Sequence, residues 1–190
     1  MTVQEQAATL EDYLAAAEAE PSRRFELIHG RIEQMPPSSQ LNTIIAGLII
    51  HFLNAYVLPK GLGYVTVPDG GYQIAENTVY IPDAAFISKE QAGDLSGVVF
   101  PFAPLLAVEV VSPSESSPKV TTKVGDYLRA GAQLVWAIYP QAREVHVYTA
   151  GSATNELTLT VLTAEDTLTG GEVLPGFSVG VGELFPAEEE

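Results

Sequence analysis

An acid stands in the middle of a run that otherwise reads as pure core: Leu105-Leu106-Ala107-Val108-Glu109-Val110-Val111. An apolar run of this length, opened by Pro104 and closed by Ser112-Pro113, is the pattern of a buried strand. An ionised carboxylate there is costly unless a cation, a hydrogen-bond donor or a raised pKa compensates it. Any fold this chain adopts must bring such a partner to Glu109. A second carboxylate, Asp83, follows Pro82 at the end of the short apolar piece Val79-Tyr80-Ile81. It lies 26 residues before Glu109, which allows the two acids to meet on neighbouring strands.

Two acids on central strands suit a hard divalent cation. Mg²⁺ takes one or two carboxylates, several waters and a substrate phosphate oxygen, and the backbone carbonyl of Val110 offers one more oxygen. A metal held there would acidify a bound water and stabilise charge on a scissile phosphate. A nearby lysine would position the attacking water or offset the developing charge. Position 111 shares a strand face with Glu109, but Val111 fills it. The lysine must come from the helix predicted from Pro118 to Ala130. There Val120, Val124, Tyr127 and Leu128 form the apolar stripe. Lys123 borders that stripe, roughly 60° from Val120 at about 100° per residue, while Lys119 lies further round toward solvent. Lys123 can lay its stem on the core and reach the sheet with its ammonium.

The remaining pattern supplies a frame. Glu11 to Ala19 reads as a helix capped by Thr9 and ended by Pro21-Ser22. Phe25 to Met35 alternates, with a turn at His29-Gly30. Leu41, Ile44, Ile45, Leu48, Phe52, Leu53 and Tyr56 recur at helical spacing, capped by Ser38 or Ser39 and stopped by Pro59 and Gly61. Strands are predicted at 64–67, 71–74, 79–87, 105–111, 134–139, 144–148 and 156–162, with a polar, proline-punctuated linker over 88–104 and a glycine-rich finish at 174–181. The expected class is α/β, a mixed central sheet flanked by helices, with a βαβ unit running from the strand of Glu109 through the Lys123 helix to Leu134.

Composition narrows the function classes. A length of 190 residues predicts a single domain, residues 1–190, with a core of about 10–150 and a β extension over about 151–190. The absence of cysteine excludes disulfides, thiol catalysis and zinc–cysteine sites. The N-terminus lacks the pattern of a secretory signal. The apolar stretch from Ile44 to Val57 carries His51 and Asn54 and reads as a core helix rather than a membrane span, so a cytoplasmic protein is expected. A net charge of −15 opposes binding to a phosphate backbone, unless Lys119, Lys123 and Arg129, or Arg23, Arg24 and Arg31, keep a local positive field. The tail Glu188-Glu189-Glu190 and the N-terminal Glu5, Glu11, Asp12, Glu18 and Glu20 are expected to face water. His51 is expected in the core, His29 in a turn, His146 at the surface and Trp136 in the core. Ser114 and Ser116 have no His or Asp placed to activate them as nucleophiles. Without chemistry, Glu109 would be half of a structural ion pair with Lys123 or Arg31.

Several segments, taken in order, resemble the Uma-type family of restriction-endonuclease-like proteins within the PD-(D/E)xK superfamily. They are Phe25-Glu26-Leu27-Ile28-His29-Gly30, Met35-Pro36-Pro37, Ile81-Pro82-Asp83-Ala84-Ala85-Phe86, Val108-Glu109-Val110-Val111-Ser112-Pro113-Ser114, Lys123 with Tyr127 and Gly131, and Trp136-Ala137-Ile138-Tyr139-Pro140. They span about residues 10 to 150. The resemblance implies a restriction-endonuclease-like core and a Mg²⁺-dependent phosphodiester hydrolase, with Mn²⁺ as an alternative metal. It implies metal ligation by Asp83 and Glu109, catalysis by a migrated lysine, Lys123, and a further acid at Glu26. The chain departs from the pattern in three places: Leu41 stands where a histidine is common, Lys119 where an acid often precedes the lysine, and Tyr139 where an aspartate often precedes Pro140. The expected function is a nuclease acting on nucleic acid, DNA ahead of RNA, as a homodimer. The rival readings are a non-catalytic binding or dimerisation module and a small-phosphoester hydrolase.

Overall fold

The computed structural model describes residues 7–113, 115–151 and 156–187. Ser114, Glu5 and the Glu188–Glu190 tail therefore lie outside the described residues. Helix α1, Leu10–Ala19, begins as predicted at Thr9, whose hydroxyl accepts from the Asp12 N–H while the Asp12 carboxylate accepts from the Thr9 N–H. Strands β1, Phe25–Ile28, and β2, Arg31–Gln34, form a hairpin. Its two-residue turn holds His29 at φ 49° and Gly30 at φ 79°, the left-handed pair that matches the strand twist.

Helix α2, Gln40–Lys60, is capped by Ser39 and closed by Gly61 at φ 61°. It runs through Pro59 instead of stopping there, because a proline this near the C-terminus forfeits a single backbone bond. Next come β3, Gly63–Thr66, β4, Gly71–Ala75, β5, Thr78–Tyr80, and β6, Ala84–Ser88. The run read as one strand from 79 to 87 is thus two strands in two different sheets. Pro82 cannot donate a ladder bond and restricts its predecessor, so the chain leaves one sheet at Ile81 and enters the other at Ala84. The 88–104 linker contains two elements too short to carry a period: helix α3, Lys89–Ala92, and strand β7, Val99–Phe100. Strand β8, Leu106–Val110, helix α4, Ser117–Arg129, and strand β9, Leu134–Tyr139, make the expected βαβ unit, with β8 and β9 parallel. Strands β10, Glu144–Ala150, β11, Leu157–Leu162, β12, Thr167–Gly170, and β13, Leu174–Gly180, complete the chain, followed by a 3₁₀ turn at Val181–Leu184.

The main sheet has the order β11-β10-β9-β8-β6-β3, a second sheet the order β2-β1-β5-β4-β7, and β12-β13 is a separate hairpin. Strand β8 divides the core by alternation. Leu106, Val108 and Val110 join Trp136 and Ile138 of β9 against Ile45, Ile49 and Leu53 of α2. Ala107 and Val111 join Val120, Val124, Tyr127 and Leu128 of α4 on the other side. The C-terminal hairpin adds Leu168, Leu174, Phe177 and Val179 to the α2 side.

Helix α2 is long and apolar enough to cross a membrane by length and composition. In the fold it lays Ile45, Ala46, Ile49, Leu53 and Val57 onto the core. His51 does not join them. It is exposed and touches the Phe52 ring edge-on. A helix apolar on every side gives no sign in sequence of which stripe the sheet will cover, and the sheet covers the stripe that leaves His51 out. Trp136, in contrast, is buried as expected.

Candidate active site

Three elements meet at the end of β8. Asp83 immediately precedes β6, whose Ala84 pairs with Val108 of β8. The antiparallel register therefore sets Asp83 across from Glu109, on the same face. The Val110 N–H donates to Asp83 Oδ2 at 2.7 Å, which fixes the carboxylate at the mouth of the sheet. Glu109 points toward α4, where Tyr127 donates its hydroxyl to Glu109 Oε1 at 2.8 Å.

Lys123 reaches the sheet from α4. Its Nζ lies 3.0 Å from Glu109 Oε1 and 3.1 Å from Oε2. It also donates to Glu26 Oε1 at 2.9 Å and stands 5.1 Å from the centroid of the Tyr80 ring. Glu26 is only 4% exposed. Its carboxylate accepts from the Ile81 N–H at 2.8 Å, so the break at Pro82 frees the backbone donor that holds Glu26. All four predicted side chains, Asp83, Glu109, Lys123 and Glu26, come together. Arg31, the other partner considered for Glu109, is exposed and belongs to the hairpin edge.

The cluster is electrostatically unusual. Three carboxylates surround one ammonium, leaving a formal excess of two negative charges when all are ionised. Burial pushes Glu109 up to about 8, with Asp83 and Glu26 adding to the rise and Lys123 opposing it. Burial also raises Asp83, against the Val110 N–H, Lys123 and Arg24. For Lys123, burial works against the charge, but Glu109 and Glu26 outweigh it and hold the ammonium above the usual lysine range. Desolvation and the adjacent Glu109 raise the Tyr127 hydroxyl strongly, so Tyr127 stays a neutral donor.

The donor set fits a hard divalent cation. Asp83 and Glu109 supply carboxylate oxygens, Val110 a carbonyl, and no sulfur or imidazole intrudes. Among the described residues no three His, Cys, Asp or Glu side chains form a closed metal cage. An open site of two acids and a carbonyl, finished by waters and substrate, is the Mg²⁺ pattern. Asp83, Glu109 and Val110 line a cavity of about 290 Å³ with Glu26, Lys119 and Lys123.

The sequence reading missed Asn42. Its side-chain amide donates to the Val110 carbonyl at 3.1 Å, and its own Oδ1 accepts from the Ser39 hydroxyl at 3.0 Å. The start of α2 thereby aims the very carbonyl offered to a metal, using one of its two lone-pair directions. A polar residue in the first turn of an apolar helix, three positions after the Ser39 cap, was the available signal. Leu41, at the family histidine position, is on the outer surface of α2 and does not line the cavity. The basic residues are largely neutralised: Arg23 pairs with Glu20, Lys119 with Glu33 and Arg129 with Asp126. His29, in its turn, lies 2.9 Å from Asp126, which also accepts from the Tyr80 hydroxyl at 2.7 Å. His146 is half-buried beside Glu144 and Tyr139.

The family model of Uma2, described as "Putative restriction endonuclease", matches residues 10–182. The chain belongs to this family. The Uma2 match continues past residue 150 through β11 and the β12-β13 hairpin, and that hairpin completes the α2-side core. A solved structure described as "a putative nuclease belonging to DUF820 from Anabaena variabilis ATCC 29413" is similar, with a TM-score of 0.80 at 22% identity, covering 93% of this chain and 97% of that one. At that identity the likeness establishes the fold, a restriction-endonuclease-like mixed α/β core. No curated protein matches.

Proposed function

We propose that this Uma2 protein is a Mg²⁺-dependent nuclease, with Mn²⁺ able to substitute, that hydrolyses phosphodiester bonds of nucleic acid, DNA ahead of RNA, as a homodimer. The observation that carries the reading is a buried ammonium shared by Glu26 and Glu109, with Asp83 opposite, in a cluster two charges short of neutrality. This grouping supports the reading of a PD-(D/E)xK site whose lysine has moved to the following helix. When bound, a divalent cation would polarise the scissile phosphate and acidify a water.

The chain's own groups do the rest. Asp83, oriented by the Val110 N–H, and Glu109, oriented by Tyr127, present oxygens toward the cavity. Glu109 would give up its proton to solvent to serve as a carboxylate ligand, and a cation held there would take up the charge that otherwise falls to Lys123 alone. Lys123 then donates from Nζ to the attacking water or to the oxygen gaining charge. Glu26 keeps Lys123 protonated and aimed. Asn42 keeps the Val110 carbonyl directed at the site.

The test is cleavage of plasmid and single-stranded DNA with Mg²⁺ or Mn²⁺ by wild type, Asp83→Ala and Lys123→Ala. A loss of about 10²-fold or more in both variants is expected. Equal activity in all three preparations would mark a contaminant and remove the reading. The paired state of Lys119, Arg23 and Arg129 favours a second reading, a hydrolase of small phosphodiesters, for which a long anionic groove is unnecessary. Turnover of a chromogenic phosphodiester without DNA cleavage would select it. Absence of any Mn²⁺ binding by calorimetry would leave a non-catalytic module.

A further inference from the structure

The cations near the site are of two kinds. Arg23, Lys119 and Arg129 are each paired with an acid. Arg24 is not. Among the described residues no carboxylate lies within ion-pairing distance of its guanidinium, which donates instead to the Pro68 carbonyl at 3.2 Å and to the Ser38 hydroxyl at 3.4 Å. Both acceptors are neutral. They hold the fork in place without cancelling its charge, and they leave further N–H donors open. A half-buried cation kept unpaired in a chain of net charge −15 calls for an anion from outside.

Its position says which anion. The Arg24 carbonyl accepts from the Met35 N–H at 2.9 Å, which extends the β1-β2 ladder by one step. Arg24 therefore shares a strand face with Glu26, two residues on. It lines a groove of about 540 Å³ with Ser38, Ala46, Ile50 and Pro68. Asn42 and Asp83 line both this groove and the active-site cavity, so the two spaces adjoin along one wall. The Arg24 charge is felt there, since it draws the Asp83 carboxyl down against the effect of burial. Gly47 borders the groove with nothing within 4 Å of where a Cβ would sit, which leaves that side open.

We infer that Arg24 is a phosphate clamp, which holds the backbone phosphate of a DNA strand next to the phosphate at the Asp83–Glu109 site. A planar guanidinium matches two phosphate oxygens at once. The Ser38 hydroxyl beside it is a second donor, and Ala46, Ile50 and Pro68 give the sugar between the two phosphates an apolar wall. The clamp rests on the nuclease reading for the phosphate at the neighbouring site. It also separates that reading from its rival, because a small phosphodiester has no second phosphate to offer Arg24. Asp83 on the shared wall repels an anion, so the strand should bind more tightly when a divalent cation offsets the acids.

Fluorescence anisotropy of short labelled single-stranded DNA, with Ca²⁺ in place of Mg²⁺, reads the clamp without cleavage. Arg24→Gln should weaken binding about tenfold, equally for two unrelated sequences, because a phosphate contact carries no sequence information. It should also flatten the plot of log K against log salt by about 0.7, one phosphate on a single strand. Arg24→Lys should keep most of that slope while losing part of the affinity, since it retains the charge without the fork. Gly47→Asp places an acid at the open side of the groove and should weaken binding at a melting temperature near wild type. Ala55→Glu makes the same change of charge at an exposed position of α2 outside the groove, and should bind as wild type does. Wild-type protein that binds no DNA, binding indifferent to Arg24→Gln and Gly47→Asp, or an equal loss in Ala55→Glu overturns the clamp. Cleavage with Mg²⁺ tells the two failures apart. Binding that depends on Arg24 without any cleavage keeps the clamp and removes the nuclease reading. Wild-type cleavage with an unchanged KM in Arg24→Gln keeps the nuclease reading and removes the clamp.

Discussion

The two faces of β8 and its continuation into Val111 are put to opposite uses. Toward α2, the side chains of Leu106, Val108 and Val110 pack with Ile45, Ile49 and Leu53, while Asn42 of the same helix bonds the Val110 carbonyl. Toward α4, Ala107 and Val111 flank Glu109, and the helix answers with Lys123 and Tyr127. The α2 face is a packed core that excludes charge. The α4 face holds buried charge because every ionised group there has a named partner. The difference shows that this sheet buries an acid where a helix delivers a cation of the right length, and the candidate site lies on that side.

The largest effect should come from moving the acid across the strand. Val108→Asp puts a carboxylate on the α2 face with no cation in reach, and should cost more than about 4 kcal/mol, enough to unfold the chain in a chemical-denaturation experiment. Glu109→Gln, one residue away, should keep the fold and lose Mn²⁺ binding. If both variants fold equally well, the contrast between the faces is wrong.

Removing the cation from the α4 face comes next. Lys123→Met leaves Glu26 and Glu109 facing each other without compensation, and metal-free stability should drop by about 3–5 kcal/mol. Millimolar Mg²⁺ should recover part of that loss, read as a rise in melting temperature that wild type shows more weakly. No loss would mean that Lys123 does not offset the charge of Glu26 and Glu109 in the folded chain.

Glu109 gives the pH dependence. Its folded pKa is raised from 4.5 to about 8, so its contribution to metal-free stability is complete below about 4.5 and is lost as the pH climbs through about 8. Metal binding needs the ionised form. Mn²⁺ affinity should therefore rise about tenfold per pH unit up to about 8 and then level off, and calorimetry in buffers of different ionisation heat should show a proton released. A flat profile from pH 6 to 9 would remove Glu109 as the titrating ligand.

The smallest effects belong to the neutral supports. Tyr127→Phe removes the hydrogen bond to Glu109, Asn42→Ala those to the Val110 carbonyl and the Ser39 hydroxyl, and each variant should cost about 1–2 kcal/mol. Tyr127→Phe acts on the α4 face and should shift the Mn²⁺ pH profile. Asn42→Ala acts from the α2 side on the Val110 carbonyl and should lower metal affinity without moving that profile. Matching pH profiles in the two variants would erase the distinction between them.

Local pattern carried much of this fold and site. The apolar run around Glu109, the helical border position of Lys123, the Thr9 and Ser39 caps and the βαβ order are all local signals, set by periodicity and by the chemistry of chain ends. The split at Pro82 was harder, since a proline in an apolar run marks a break without saying that two sheets will share it. The elements α3, β7 and β12 are held by their neighbours and are too short to show a period. The role of Asn42 depends on a carbonyl 68 residues away.

By itself, then, the sequence determined that an acid would be buried in a central strand, that a second acid and a helical lysine were available to it, and that no thiol chemistry could take part. Only the tertiary structure decided that Glu26 shares the lysine, that Asn42 aims the Val110 carbonyl, and which side of α2 is turned outward with His51. Burial of a charge is a local demand that any fold must meet, and it leaves its mark on the chain. The choice of which group meets it, and which of two equally apolar faces is covered, is settled by three-dimensional packing between segments that no periodicity connects.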